Sequence, residues 1–162
     1  LHIGPIGSAS VLKVATNYLA STHLVAVGEA LMVCKKAGLD LPTVYEGIKI
    51  SSGNSFVHET ESQVIMNGSY NINFTMDLVC KDVGLFEKLA QDMNVPTEVS
   101  PLITKIFKEG REKYGDRAWS SMIVKRLEDA CEEDLRAPGY PEELVDDTPR
   151  RKGYEVIPNN IK

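Results

Sequence analysis

Two polar residues, Lys13 and Asn17, lie four positions apart in a stretch that is otherwise largely apolar. Residues with this spacing share one face of a helix, so the two side chains should point the same way. A lysine held in a partly apolar cleft has its charged form disfavoured, so its pKa can fall toward neutrality and it can exchange protons. An asparagine one turn away can orient a hydroxyl or carbonyl group without carrying a charge. The pair suits proton transfer to or from an alcohol that is being oxidised.

By spacing alone this signal is weak, because a lysine and an asparagine four residues apart often occur by chance. A second charged pair, Lys81 and Asp82, falls in the middle of another predicted helix. Adjacent charges on a helix usually mark its solvated edge, so the residues alone leave a structural and a functional interpretation open for Lys81.

Other kinds of reactive site are not indicated. The three histidines show no i,i+4 metal-binding spacing, so the sequence predicts no metal site. The three cysteines are far apart and odd in number, and they form no CxxC pair. That pattern indicates reduced thiols and a cytoplasmic location.

The stretch from Gly4 to Lys36 has no proline after Pro5, and its apolar residues follow helical periodicity around much of the circumference. Ser8 or Ser10 can cap the start of this helix, and Gly38 marks its end. At ~1.5 Å per residue the helix would be roughly 45 Å long, which is long for a domain of this size.

Shorter helices are expected further along the chain, at about 42–50, 56–66, 76–93, 102–114 and 118–133. The segment from Tyr70 to Phe74 alternates like a strand but has no partner strand, so it is predicted as an extended loop. Residues 134–162 contain too few apolar side chains for a core of their own, and Tyr154 to Ile157 is the only tail segment expected to dock. The predicted fold class is all-α: a helical bundle around one long N-terminal helix, with an irregular C-terminal tail.

Composition narrows the possible partners. With 162 residues, 43% hydrophobic and 25% charged, the chain resembles an ordinary single globular domain. A net charge of −5 argues against nucleic acid as the main partner. The absence of a long uninterrupted apolar run and of a signal peptide argues against a membrane partner and against export.

Three segments together carry a family resemblance. GPIGSAS at residues 4–10, followed by Lys13 and Asn17, resembles the junction motif of the β-hydroxyacid dehydrogenases, the superfamily of 3-hydroxyisobutyrate and 6-phosphogluconate dehydrogenases. FTMDLVCKDVGL at residues 74–85 is similar to the family's F-x-x-x-L-x-x-K-D-L-x-L-A segment. GDRAWS at residues 115–120 resembles the stretch before the family's last helix. Three motifs in the right order are far more specific than any one.

The resemblance implies an NAD(P)-dependent oxidoreductase that acts on a CH–OH group. A nicotinamide cofactor, NAD or NADP, would exchange hydride reversibly between a short 3-hydroxyacid and the corresponding aldehyde or keto acid. The resemblance also implies that Lys13 is the general acid/base, that Asn17 binds substrate, and that Lys81 lies near the cofactor.

The same resemblance implies a domain organisation. Residues 1–7 would be a linker from a missing N-terminal Rossmann domain, 8–133 the helical substrate and dimerisation domain, and 134–162 a C-terminal tail. The Rossmann domain would bind most of the cofactor, so this chain alone is expected to be inactive.

A competing interpretation is a non-catalytic helical dimerisation or interaction module, with Lys13 on its solvated edge. The two are compatible, since the helical domain of this family usually also forms the oligomer interface. The apolar residues 25–31, with Gly28 permitting close approach, predict a homodimer or a higher homo-oligomer, because monomers seldom expose such a surface.

Overall fold

The computed structural model describes residues 3–146 and 149. Its six α-helices are α1 Ser8–Lys36, α2 Leu41–Lys49, α3 Phe56–Asn67, α4 Met76–Asp92, α5 Val99–Tyr114 and α6 Lys125–Cys131. A 3-10 turn, Ser120–Val124, leads into α6. Within the described residues no β-strand forms, and there are only two isolated bridges, Asn71–Glu143 and Thr75–Trp119. The predicted all-α fold around one long N-terminal helix is confirmed.

Helix α1 runs for 29 residues, as its uninterrupted apolar periodicity predicts. The predicted serine cap is wrong: no side chain caps the helix, and Gly7, at φ 100°, occupies the N-cap position. Its carbonyl accepts from the amides of Ser10 and Val11, so backbone alone closes the first turn. A left-handed N-cap favours glycine, which explains why a residue without a side chain begins the helix.

Helix α1 contacts every other helix of the described chain as well as the 3-10 turn. Gly28 makes the closest of these approaches possible: a Cβ atom there would lie 2.6 Å from Cγ2 of Val124 in the 3-10 turn. Val124 belongs to the hydrophobic core, in which Leu31, Ile65, Val83 and Phe107 are fully buried.

This packing corrects the argument for a partner surface at residues 25–31. Val25, Val27 and Leu31 are buried within the chain, because the shorter helices and the 3-10 turn close around the C-terminal half of α1. Gly28 serves that internal contact and not an approach by a second chain. Of residues 25–31, the small Ala26 and Ala30 remain exposed, and the large exposed apolar residues of α1 are Val11, Leu12, Leu19 and Val33.

The last helical region also differs from its predicted range of 118–133. The amide of Ser120 donates to the carbonyl of Phe74, and Trp119 bridges to Thr75, so the chain before the turn is held extended. An extended segment cannot continue a helix, and regular α-helix therefore begins only at Lys125.

The described part of the tail docks against the helices. Glu128 of α6 is buried and accepts from the amide of Leu135, from the Arg136 guanidinium at 2.8 Å and from the Tyr70 hydroxyl. Further on, the amide of Leu144 donates to the carbonyl of Asn71. The predicted docking segment, residues 154–157, lies outside the described residues. Its description as the only docking segment is wrong, because polar anchors hold the tail earlier in the chain.

None of the helices in the described part of the chain is both long and apolar enough to cross a lipid bilayer.

Candidate active site

Two helices bring three polar side chains to one point. Lys13 and Asn17 extend from the same face of α1, and Asp82 extends from α4 toward them. Lys13 Nζ donates to Asp82 Oδ2 at 2.9 Å, and Asn17 Nδ2 donates to the same oxygen at 2.5 Å. The sequence places Lys13 and Asn17 on one helix face, and tertiary packing supplies the carboxylate that joins them.

The two helices are held together beside this cluster by a pair of aromatic rings. Tyr18, the residue after Asn17, stacks on Phe86, one turn after Asp82, with ring centroids 4.0 Å apart and planes 4° from parallel. Offset or parallel stacking of this kind adds to the free energy of packing beyond buried area. The stacked pair therefore fixes the distance between α1 and α4 where the polar cluster lies.

Asp82 is only 3% exposed. Burial by itself would raise the pKa of its carboxyl, but hydrogen bonds from Lys13 and Asn17 and the charges of Lys13 and Lys81 outweigh it. The pKa of Asp82 consequently lies below its usual value, and the side chain is a carboxylate at neutral pH.

Lys81 lies on the other side of this carboxylate. Its Nζ is 3.7 Å from Asp82 Oδ1, an oxygen that accepts no hydrogen bond within the described part of the chain. The Lys81 side chain is 60% exposed, so its ammonium is available to an anion. The structure thus places all three of the predicted site residues, Lys13, Asn17 and Lys81, around one buried carboxylate.

The apolar cleft predicted around Lys13 is absent from the described structure. The lysine side chain is 56% exposed, and its ammonium rests against a carboxylate. The predicted burial of Lys13 is therefore wrong.

Asp82 is the cluster residue that sequence reasoning missed, since Lys81 and Asp82 together suggest a solvated edge. That interpretation describes the exposed Lys81 but is wrong for Asp82. The missed signal is positional: Asp82 lies three residues after Val79 and four before Phe86, on the apolar face of α4. A charged residue within an apolar face needs a partner from another element.

A cavity of about 260 Å³ opens next to Asn17. Its walls are mainly apolar and come from α1, α4, the loop after α3 and the tail, with Leu24, Val79, Ile72, Phe74 and Leu144 among them. The polar groups lining it include Asn17, Ser21, Ser120 and Glu61. A small organic molecule with one polar end near Asn17 fits such a space.

Glu61 reaches this cavity from α3. Its Oε2 atom is shielded from solvent and has no hydrogen-bond partner among the described residues. Burial raises the pKa of Glu61 from 4.5 to about 8. Sequence reasoning missed this residue too, although Val57, Glu61 and Ile65 follow each other at intervals of four and therefore share one face of α3.

The sequence from residue 7 to residue 127 matches a protein family described as "NAD-binding of NADP-dependent 3-hydroxyisobutyrate dehydrogenase". The chain belongs to this family. The matched region includes Lys13, Asn17, Glu61 and the Lys81–Asp82 pair, and it ends before the tail.

Individual relatives agree with the family. The 2-(hydroxymethyl)glutarate dehydrogenase of Eubacterium barkeri is 34% identical over 125 residues, which are 76% of this chain and 42% of the relative. The L-threonate dehydrogenase of Haemophilus influenzae is 28% identical over 120 residues, 74% of this chain and 40% of the relative. The crystal structure of 3-hydroxyisobutyrate dehydrogenase from Salmonella typhimurium has a TM-score of 0.67 at 26% identity, covering 74% of this chain and 42% of that chain. The matched region covers less than half the length of each of these proteins.

The predicted resemblance to the β-hydroxyacid dehydrogenases is therefore confirmed. The named relatives are dehydrogenases, in agreement with the predicted enzyme class, and the family description names NAD binding, in agreement with the predicted nicotinamide cofactor.

The described residues fit one edge of a nicotinamide cofactor. The half-exposed ammonium groups of Lys13 and Lys81 flank the Asp82 carboxylate and offer positive charge to an anionic group. Within residues 3–146 there is no strand followed by a glycine-rich turn, the usual cradle for a pyrophosphate. These residues can contact the cofactor through its anionic groups.

Proposed function

We propose that this chain is the helical substrate-binding part of an NAD(P)-dependent β-hydroxyacid dehydrogenase. The reaction would be reversible hydride transfer between a nicotinamide cofactor and a short 3-hydroxyacid or its aldehyde or keto-acid counterpart. The observation that carries the proposal is the convergence of Lys13 and Asn17 on the buried carboxylate of Asp82, beside a cavity of about 260 Å³.

Lys13 would move the proton. An ammonium group has three N–H donors, and Asp82 occupies one of them, so others remain for a substrate oxygen. In the reducing direction Lys13 donates a proton from Nζ to the carbonyl oxygen, which becomes a hydroxyl. Because more than half of the side chain is exposed, the neutral amine can regain its proton from water. In the oxidising direction Lys13 first loses that proton and then accepts the hydroxyl proton.

Asn17 and Asp82 would hold the reacting groups in place. Asn17 uses one N–H on Asp82 and keeps a second N–H and its amide oxygen for the substrate. Asp82 holds Lys13 Nζ and Asn17 Nδ2 at a single oxygen, which limits the rotamers of both side chains. When bound, the nicotinamide would supply or accept the hydride, and Lys81 would contact the cofactor.

The proposal includes the rest of the predicted organisation. Residues 1–7 link to an N-terminal Rossmann domain, 8–133 form the helical domain, and the enzyme is a cytoplasmic homo-oligomer. The further domain is supported by two relatives that are much longer than the matched region, which makes up 42% and 40% of their lengths. The cytoplasmic location is supported by the three unpaired cysteines. The exposed apolar residues of α1, which include Val11 and Leu19, are candidates for covering by another domain or chain.

The test is hydride transfer by the full-length protein that carries this chain, with NAD and with NADP, over a panel of short 3-hydroxyacids. Lys13→Ala should lower turnover by ~10² to 10⁴, the loss typical of a general acid/base, and Lys13→Arg should not restore it. Lys105→Ala, on the exposed face of α5, is the matched control and should leave turnover unchanged. Near-normal turnover in Lys13→Ala would remove Lys13 from the chemistry. No hydride transfer with any acid would favour the non-catalytic interaction module.

A further inference from the structure

We propose that Glu61 recognises the end of the substrate remote from the reacting hydroxyl, and that it selects a hydrogen-bond donor there, a hydroxyl or an ammonium group, over a carboxylate. The inference rests on the proposed function, since it concerns the substrate of the same site.

Glu61 lines the cavity from a different helix than the reacting groups. Asn17 is the member of the polar cluster that lines the cavity, and it marks the end next to Lys13 and Asp82. Glu61 enters from α3, a helix that contributes no residue to that cluster. A substrate whose hydroxyl lies at Asn17 and whose other end points into the cavity would meet the Glu61 carboxyl.

One oxygen of the Glu61 carboxyl is buried and lacks a hydrogen-bond partner among the described residues. Its Oε2 atom is shielded from solvent and accepts no hydrogen bond from any described residue. A polar atom removed from water without a partner destabilises the protein, so such atoms are uncommon. A ligand with an N–H or O–H group at this end of the cavity would provide the missing partner.

The lack of a cation among the described lining residues favours a donor over an acid. Among the residues that the structure describes, no lysine, arginine or histidine lines the cavity, so a second carboxylate would find no cation there. The hydroxyl of Ser21 already donates to the carbonyl of Asn17, so its proton is not available to a substrate. A substrate carboxylate could bind only while Glu61 keeps its proton, because two carboxyl groups sharing a buried site cannot both ionise readily, whereas a hydroxyl or ammonium donor can also bind the ionised form.

The raised pKa of Glu61, about 8, is consistent with this role. At neutral pH the carboxyl is largely protonated and can exchange hydrogen bonds with a substrate hydroxyl. Next to an ammonium group the charged form is favoured instead, and the two would form an ion pair. At roughly 30 Å³ for a water-sized group, a cavity of about 260 Å³ has room for a short chain ending in either group.

The experiment measures kcat/KM of the full-length protein for four 3-hydroxyacids of matched length that end in a hydroxyl, an ammonium, a methyl or a carboxylate group. The wild type should prefer the hydroxyl or ammonium substrate to the other two. Glu61→Gln should reduce a preference for the ammonium substrate by about tenfold or more, because an amide cannot ionise. If the wild type instead prefers the hydroxyl substrate, Glu61→Gln should reduce that preference much less. The size of the reduction therefore tells which of the two donors Glu61 recognises. Glu61→Gln should also improve use of the carboxylate substrate.

Glu59→Gln is the control, since it makes the same change on the same helix. Glu59 Oε1 accepts from Asn54 Nδ2 at 2.7 Å and does not line the cavity, so the four ratios should match the wild type. Unchanged ratios in a folded Glu61→Gln protein would overturn the inference and leave the proposed function standing. If that variant does not fold, the wild-type order decides, and a preference for the methyl or carboxylate substrate overturns the inference. If the protein transfers hydride with none of the four acids and with none of the wider panel, both the proposed function and this inference are overturned.

Discussion

Lys13 Nζ lies 2.9 Å from Asp82 Oδ2, although 69 residues separate the two in the sequence. The lysine side chain is largely in solvent while the aspartate side chain is almost fully enclosed, at 56% and 4% exposed. The buried Asp82 carboxylate therefore holds the exposed Lys13 ammonium in one position. Its position depends on how α1 packs against α4.

Asp82→Asn should lower turnover in the full-length enzyme while leaving the protein folded. Asparagine keeps the shape of the side chain but loses the charge that holds Lys13, and hydrogen bonds to charged groups are worth about 1.5–3 kcal/mol. At about 1.4 kcal/mol per factor of ten, we expect a loss of roughly 10- to 100-fold, mostly in kcat. Asp92→Asn, at the exposed end of α4, should have no effect. Unchanged kcat in Asp82→Asn would mean that Lys13 needs no positioning partner.

Lys81→Ala should raise the KM for the cofactor a few-fold or lower turnover, without altering the thermal unfolding of the protein. The effect should be modest, because charges as exposed as this one are screened by solvent. Lys88→Ala removes the same charge from the same helix at a position paired with Asp92, and it serves as the control. Equal kinetics for the two variants would return Lys81 to the role of a solvated surface residue.

Gly28→Ala should destabilise the fold by roughly 1–3 kcal/mol, the usual effect of overpacking. The new methyl group would lie 2.6 Å from Cγ2 of Val124, a residue that is buried and cannot move aside. Overpacking should outweigh the ~1 kcal/mol that alanine gains over glycine in a helix. Urea unfolding provides the measurement.

Two further variants test the cause of that destabilisation. Gly28→Ala combined with Val124→Ala should lose less stability than the two single changes added together, because the second change makes room for the first. Gly47→Ala on α2, where a Cβ would meet nothing within 4 Å, should be neutral or slightly stabilising. Strict additivity in the double variant would place the origin of the effect elsewhere.

Glu61→Gln should also change how stability depends on pH. Burial raises the pKa of Glu61 from 4.5 to about 8, so the folded state holds this proton more tightly than the unfolded state does. The stabilisation is then fully present below about pH 4.5 and is lost as the pH rises through about 8. Since glutamine does not titrate, the wild type should lose stability relative to Glu61→Gln across that window. Urea unfolding at either end of it, with Glu59→Gln as the control, gives the comparison, and parallel curves would contradict the raised pKa.

The sequence by itself determined the features that depend on near neighbours along the chain. Helical periodicity requires only residues three and four apart, so the long α1 and the all-α fold could be predicted, and Lys13 and Asn17 could be placed on one face. The three ordered motifs carried the family for the same reason, since each is a short local pattern. Even locally the prediction had a limit: Gly7 and not a serine begins α1, because a backbone turn took the place of a side-chain cap.

Only the tertiary structure decided which surfaces and charges meet. Asp82 is buried rather than solvated because α1 lies over that face of α4, and Lys13 is exposed because no element among residues 3–146 covers it. Gly28 faces Val124, which is almost a hundred positions away in the sequence. The cavity beside Asn17 combines Glu61 from α3 with Leu144 from the tail. Distances between such residues depend on packing that involves the whole domain, and no local pattern in the sequence contains them.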